Sequence, residues 1–308
     1  MTNFVPLSDF KRFARAAVTN QLARFAPDLY LRITGQTGRG EEGNSPPEIA
    51  DYFLRCFEDY RNRLSDLGLS LDALIQNQSL LEYGPGDLPG VALLMYAHGA
   101  RSVTCADRFA MVNLSATNLD VLRLLLKRLP ASESARAAGA FNVLGEPGSG
   151  FRPGVIDYLV TPDGCVHQPG CYALVYSRAV LEHVNDLQAT FGDMESALLP
   201  GGIAMHEVDL KSHGLHRETP LDFLCWSDWA WSMMHSNKGV PNRLRIDRYR
   251  LLCSHLSMKT LSIEPVEIAP LAHVQAVRNC LATPFRNLSD DELTWLSFWM
   301  ILQRPVVT

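Results

Sequence analysis

The chain lacks several things a sequence of this length can carry, and each absence narrows its function. No apolar run approaches the roughly 18 residues that a membrane-spanning helix needs; the longest candidate, Val91 to Tyr96, is far too short. The stretch from Met1 to Asp28 has no unbroken apolar core of the signal-peptide kind, because Asp9, Lys11, Arg12, Arg15 and Arg24 interrupt it. A basic excess is also missing. The formal net charge is -5, with both signs mixed along the chain, which gives no footprint for neutralising phosphates. A small-molecule substrate is therefore expected, with neither nucleic acid nor membrane as partner; oligomeric state is not legible.

Paired CxxC units are absent too. The 7 cysteines are odd in number and spread through apolar stretches, a pattern expected of reduced thiols in the cytoplasm. Cys165, His167 and Cys171 could supply three metal ligands, but no fourth is in sight and the run is rich in turn residues. No metal site is expected. There is no internal repeat and no low-complexity tract.

What is present reads as helices followed by alternating strands and helices. Residues 1–78 are expected to form an N-terminal helical region or lid, with a Gly-rich hinge from Gly35 to Asn44. Ser45-Pro-Pro-Glu48 is a helix start: Ser45 caps, Pro46 tolerates the first turn, and Glu48 completes a capping box. Ile49, Tyr52, Phe53, Cys56 and Tyr60 then fall at helical spacing. From Ser79 the texture changes to βαβ units. Strands are expected at Ser79–Tyr83, Ser102–Ala106, Val155–Val160, Ala173–Ser177, Ile203–Leu210, near Met258–Ile268 and near Trp295–Gln303, with Pro200-Gly-Gly202 as a tight turn and a helix from Leu181 to Leu198. The fold class is α/β: a Rossmann-like, mainly parallel seven-stranded sheet with helices on both faces, its core spanning 79–308. A segment rich in Trp, His and Arg, about 211–245, is too long for an ordinary connection and reads as an insertion.

The chemistry begins where the first strand ends, in Leu81-Glu-Tyr-Gly-Pro-Gly-Asp-Leu-Pro-Gly90. Gly84 and Gly86 can take positive φ and let a ligand lie against bare backbone. A dinucleotide fingerprint needs glycines at positions one, three and six; counted from Gly84, position six is Pro89. No tyrosine is followed by lysine at the fourth position, so the pair that a short-chain oxidoreductase needs is also missing. Asp107, about twenty residues after the turn, is placed to accept both hydroxyls of a ribose.

These blocks, with Ala106-Asp107-Arg108, Leu174-Val-Tyr-Ser-Arg-Ala-Val-Leu-Glu-His-Val184 and Leu198-Leu-Pro-Gly-Gly-Ile203 in order, resemble the class I S-adenosylmethionine (SAM)-dependent methyltransferases. The resemblance covers about residues 78–210. It implies SAM as cofactor, held by Glu82, Tyr83, Gly84, Pro85, Gly86, Asp107, Arg108, Ser177 and Arg178, with Asp163 as the adenine-contact acid and Asp157 as its competitor. Two positions depart from the family pattern: Leu88 stands where a third glycine is usual, and Ala173 where an acid is usual.

The fourth strand does not end in the Asn/Asp-Pro-Pro-Tyr/Phe typical of relatives that act on amides or nucleobases. The reading is methyl transfer to a small molecule, with an oxygen acceptor slightly ahead of nitrogen or carbon. A protein that binds SAM without methylating stays open. Asp209, Lys211 and His213 leave the fifth strand at the sheet's ligand-binding edge. His213 is the candidate base, its ordinary pKa of about 6.5 suiting the role. Asp209, Lys211, Trp226 and Arg243 are candidates for binding the acceptor, with packing or solvation as the competing explanation for the last two.

Overall fold

In the computed structural model of the chain, residues 7–26, 29–30, 33, 45–213, 215–216, 218–237 and 241–306 are described; the expected hinge at 35–44 lies outside them. Helix α1 spans Leu7–Phe25 and α2 spans Pro46–Ser65. The start of α2 follows its sequence signal: the Glu48 carboxylate accepts from the Ser45 N–H at 3.0 Å and from its hydroxyl at 2.7 Å. One stripe of α2, from Ile49 through Phe53, Cys56, Phe57 and Tyr60 to Leu64, is buried. It packs against the sheet together with Leu80, Leu174 and Tyr176, so α2 belongs to the main core.

Seven strands form one sheet: β1 (Ser79–Tyr83), β2 (Ser102–Asp107), β3 (Ile156–Val160), β4 (Tyr172–Arg178), β5 (Leu198–Asp209), β6 (Lys259–Ile268) and β7 (Trp295–Gln303). Their order is β3-β2-β1-β4-β5-β7-β6. The first five in this order are parallel, and β7 runs antiparallel between β5 and β6. Order reverses between β1 and β4, which opens a crevice at their carboxyl ends, the place where such sheets take ligands.

Strand parity sorts side chains between the two faces. Leu80, Cys105, Leu174, Tyr176 and Met205 pack with α2, α4 (Gly90–Ala97) and α5 (Ala116–Arg128), following a short α3 (Leu71–Ile75). Leu81, Tyr83, Val175, Ala204 and Val208 pack instead with α7 (Leu187–Ala197) and α9 (Ile246–His255), α6 (Ala131–Ala138) lying between β2 and β3 in the chain. The insertion carries α8 (Asp228–His235) and a small core of its own. Leu221, Phe223, Leu224, Trp231 and Met234 bury against Val274, Val277 and Phe285 on and beyond α10 (Leu271–Val277) and against Leu293 on α11 (Asp290–Thr294). Helix α1 lies on this insertion, where the Asn20 amide donates to the Met233 carbonyl at 3.0 Å and accepts from the Asn237 N–H at 2.8 Å.

Four expectations change. Pro200-Gly-Gly202 does not precede β5 but forms a bulge within it, since Tyr172 pairs with Leu198 and Leu174 with Ile203; Gly201 takes φ +82° there. The helix expected from Leu181 starts at Leu187, because the Asp186 carboxylate caps it by accepting from the Ala189 N–H at 2.9 Å. Helices α10 and α11 occupy a stretch in which no element was expected. Cys225 and Cys280 are joined as a disulfide, contrary to the expectation of reduced thiols; the other five cysteines are free.

Candidate active site

At the end of β1, Gly84 and Gly86 adopt φ of +62° and +71°, and the Gly84 N–H donates to the Ala106 carbonyl at 2.8 Å. A Cβ on Gly84 would stand 2.5 Å from a Val180 methyl, so the turn and the loop after β4 lie almost in contact. The flanking side chains leave the crevice for opposite faces. Glu82 is buried and accepts from the Tyr176 hydroxyl at 3.3 Å, and burial pushes its carboxyl up to about 7. The Tyr83 hydroxyl donates to Asp193 at 2.5 Å. Around Pro85, therefore, it is main chain that borders the ligand edge.

Asp107 ends β2. Its carboxylate accepts from the Phe109 N–H at 3.1 Å, and burial pushes its pKa up to about 6. Beside it the Arg108 guanidinium lies 4.6 Å from the Phe109 ring centre, with its Nη2 buried and without a hydrogen-bond partner. Two positive-φ glycines, a desolvated carboxylate and an unpartnered guanidinium nitrogen thus stand together at the carboxyl edge of β1 and β2. Asp163 lies at the loop after β3, accepting from the Cys165 N–H at 3.1 Å and facing His167 Nε2 at 2.9 Å; Asp157 instead accepts from the Gly154 N–H at 2.9 Å.

The β4 residues serve the interior. Ser177 is buried and hydrogen-bonded to His206 Nδ1 at 2.7 Å, and burial lowers the His206 pKa to about 3. Arg178 bridges Asp59 of α2 at 2.8 Å and Glu207 of β5 at 2.9 Å. That bridge, from a helix 119 positions away in sequence, had no signal in the strand motif.

Sequence reasoning did not bring together three side chains that meet at the carboxyl edge of β4 and β5. Glu182 and His183 sit on a single turn of 3₁₀ helix, Leu181–His183, directly after Val180, and His213 follows β5. His183 Nε2 stands 3.7 Å and His213 Nε2 3.9 Å from Glu182 Oε1, and the two rings are 4.9 Å apart. Burial raises the Glu182 pKa well above the ordinary carboxylate range and lowers that of His213. His213 is held at φ +48°. Nearby, Asp209 accepts from the Lys211 N–H at 2.8 Å, while Lys211 Nζ reaches Glu267 at 3.0 Å. The signal that was available was the pair Glu182-His183 directly after the strand.

The two insertion candidates have structural partners. Arg243 is only 5% exposed; it donates to the Trp226 carbonyl at 2.6 Å, pairs with Asp228 at 2.7 Å and lies over the Trp231 ring. Its guanidinium is held inside the insertion by these partners. Trp226 is half-buried in the same packing. Of the cluster read around Cys165, the thiol is buried while Cys171 is exposed, and His167 turns to Asp163.

A family model described as a methyltransferase domain matches residues 49–256, more than half of the chain. No curated protein matches. Among solved structures, a SAM-dependent methyltransferase from Mesorhizobium loti is 14% identical, with 76% of this chain and 95% of that one covered at a TM-score of 0.41. Phosphoethanolamine N-methyltransferase 2 of Haemonchus contortus, solved with SAM, is also 14% identical, with 75% and 49% covered at a TM-score of 0.41. Among the described residues no helix is long and apolar enough to cross a membrane. With that domain match over more than half of its length, the chain belongs to the methyltransferase-domain family.

Proposed function

We propose that the chain transfers the methyl group of SAM to a hydroxyl oxygen of a small-molecule acceptor at the carboxyl edge of β4 and β5. The observation that supports this is the meeting of Glu182, His183 and His213 at that edge, one turn beyond the Val180 contact with Gly84. SAM supplies an electrophilic methyl on a sulfonium. The protein then has to hold an unprotonated nucleophile in line and keep water away. A hydroxyl gains most from a group that removes its proton, and the cluster, with His213 its exposed member, is the group in reach. In this reading Gly84 and Gly86 hold the methionine portion by their backbone and Asp107 holds the ribose. Arg108 and Asp163 border the adenosine, and Asp209 and Lys211 line the acceptor side. Glu82, Tyr83, Ser177 and Arg178 shape the edge from beneath through their buried partners. The N-terminal helical region and the insertion would cover the acceptor, a role favoured by the packing of α1 on α8.

The net charge of -5 favours a small molecule over nucleic acid. A cytoplasmic setting belongs to the same proposal, on five free cysteines of which four are buried, with the Cys225–Cys280 bond as the observation against it. The test is incubation of the purified protein with methyl-labelled SAM and a panel of phenols, alcohols, amines and carboxylic acids. Label in an ether product supports the reading. Label found only in N- or C-methylated products overturns it, and SAM binding without any labelled product favours a non-methylating role.

A further inference from the structure

The edge just described holds an unsatisfied group. Glu182 is 1% exposed and neither carboxylate oxygen has a hydrogen-bond partner. A buried carboxylate in that state is costly unless a proton, a cation or a metal completes it. Two imidazoles stand beside it, with Nε2 atoms 3.7 and 3.9 Å from Oε1. These separations are too long for hydrogen bonds. They are close to the spacing of two ligands on one ion, since donors each about 2.1 Å from a tetrahedral centre stand about 3.4 Å apart. Among the described residues this is the one group of three His, Cys, Asp or Glu side chains whose ligand atoms all lie within 4.8 Å of one another.

We propose that Glu182, His183 and His213 form a binding site for a divalent transition-metal ion at the acceptor edge. Two imidazoles with one carboxylate suit zinc, iron, cobalt or manganese better than calcium or magnesium, which favour all-oxygen sets. Three protein ligands leave coordination positions open, the arrangement of catalytic rather than structural sites. The surroundings hold the ligand turn in place: the Asn242 N–H donates to the Glu182 carbonyl at 2.6 Å, and the Asn242 amide donates to the carbonyls of Leu181 at 2.9 Å and Val184 at 3.2 Å. Asn242 is thus a positioning residue, holding by its own side chain the turn that presents two of the ligands.

This inference rests on the proposed function only for what the ion does there. With the ion bound, the three side chains are ligands and His213 is no longer a free base. An acceptor hydroxyl coordinated at an open position releases its proton to solvent, as metal-bound water does. Its oxygen then forms the C–O bond to the methyl carbon while the S–C bond breaks, and the sulfonium leaves as a neutral thioether.

The experiment is titration of the full-length, metal-stripped protein with Co(II), read by visible absorption and by calorimetry, with Zn(II) competition. One Co(II) per chain, a ligand-field spectrum, and a loss of affinity of tenfold or more in both His183→Ala and His213→Ala support the site. SAM affinity measured on the same samples shows that the variants remain folded; should one fail, Glu182→Gln takes its place. The control His167→Ala, on the surface pair with Asp163, leaves Co(II) binding unchanged. Absence of stoichiometric binding, or equal binding in wild type and both histidine variants, overturns the site. The two proposals fail separately: Co(II) binding without an ether product refutes the methylation reading alone, and an ether product from a protein that binds no Co(II) refutes the metal site alone.

Discussion

Replacement of Gly84 by alanine separates two costs that the structure places at one position. At φ +62° an L-residue is strained by about 1–2 kcal/mol. The new Cβ would also stand 2.5 and 3.0 Å from the two methyl groups of Val180. Valine has little rotamer freedom with which to yield, so overpacking adds about 1–3 kcal/mol. Gly68 supplies the reference: its φ is +73° and an added Cβ meets nothing within 4 Å, so Gly68→Ala reports the backbone cost alone. Urea unfolding should therefore show Gly84→Ala destabilised by about 1–3 kcal/mol more than Gly68→Ala. Adding Val180→Ala should recover most of that difference in a double-mutant cycle. Because the same turn borders the cofactor edge, SAM affinity by calorimetry should fall at least tenfold in Gly84→Ala and stay at the wild-type value in Gly68→Ala. Equal destabilisation of the two alanine variants, with no recovery from Val180→Ala, would refute the close approach of turn and loop.

Removing the Asp107 carboxylate in Asp107→Ala should weaken SAM by about 100- to 10,000-fold, from loss of two hydrogen bonds to a charged acceptor at about 1.5–3 kcal/mol each; calorimetry showing unchanged affinity would remove the ribose assignment. The same group predicts a pH dependence with a definite sign. Its pKa in the free protein is raised to about 6 by burial, and the ribose hydroxyls need the ionised form. Above pH 6 affinity should be flat in this group, and below it should fall towards tenfold per pH unit; a titration flat to pH 5 would contradict this. Arg245 is fully buried and donates to the carbonyls of Leu210 at 2.7 Å, Leu293 at 3.0 Å and Trp295. Arg245→Ala should cost about 3–5 kcal/mol in denaturant unfolding, since several buried carbonyls lose their donor, and a loss below 1 kcal/mol would show that water replaces them.

The legible parts of this chain were those governed by local rules. Ser45 and Glu48 announced a helix start, strand periods placed β1, β2 and β4, and Gly84 with Gly86 marked the turn. Hidden parts depended on partners far along the chain. Arg178 reads as a cofactor-edge residue in its motif, yet its charge is used by Asp59 on α2 and Glu207 on β5. Arg243 reads as a surface cation, but its guanidinium is buried by the carbonyls and rings of the insertion. Glu182 and His183 lie thirty positions from His213, and only the pairing of β4 with β5 brings them to one edge. The joining of Cys225 to Cys280 likewise needs α10 beside the insertion, a packing that no spacing rule encodes.

The most direct test of the account is a crystal structure with S-adenosylhomocysteine and an acceptor analogue bound. It should place the ribose on Asp107, the amino-acid portion along Gly84 and Gly86, and the sulfur facing the acceptor beside Glu182, His183 and His213. A ligand whose sulfur points away from that cluster, or one bound outside the crevice between β1 and β4, would contradict the assignment of both cofactor and acceptor sites.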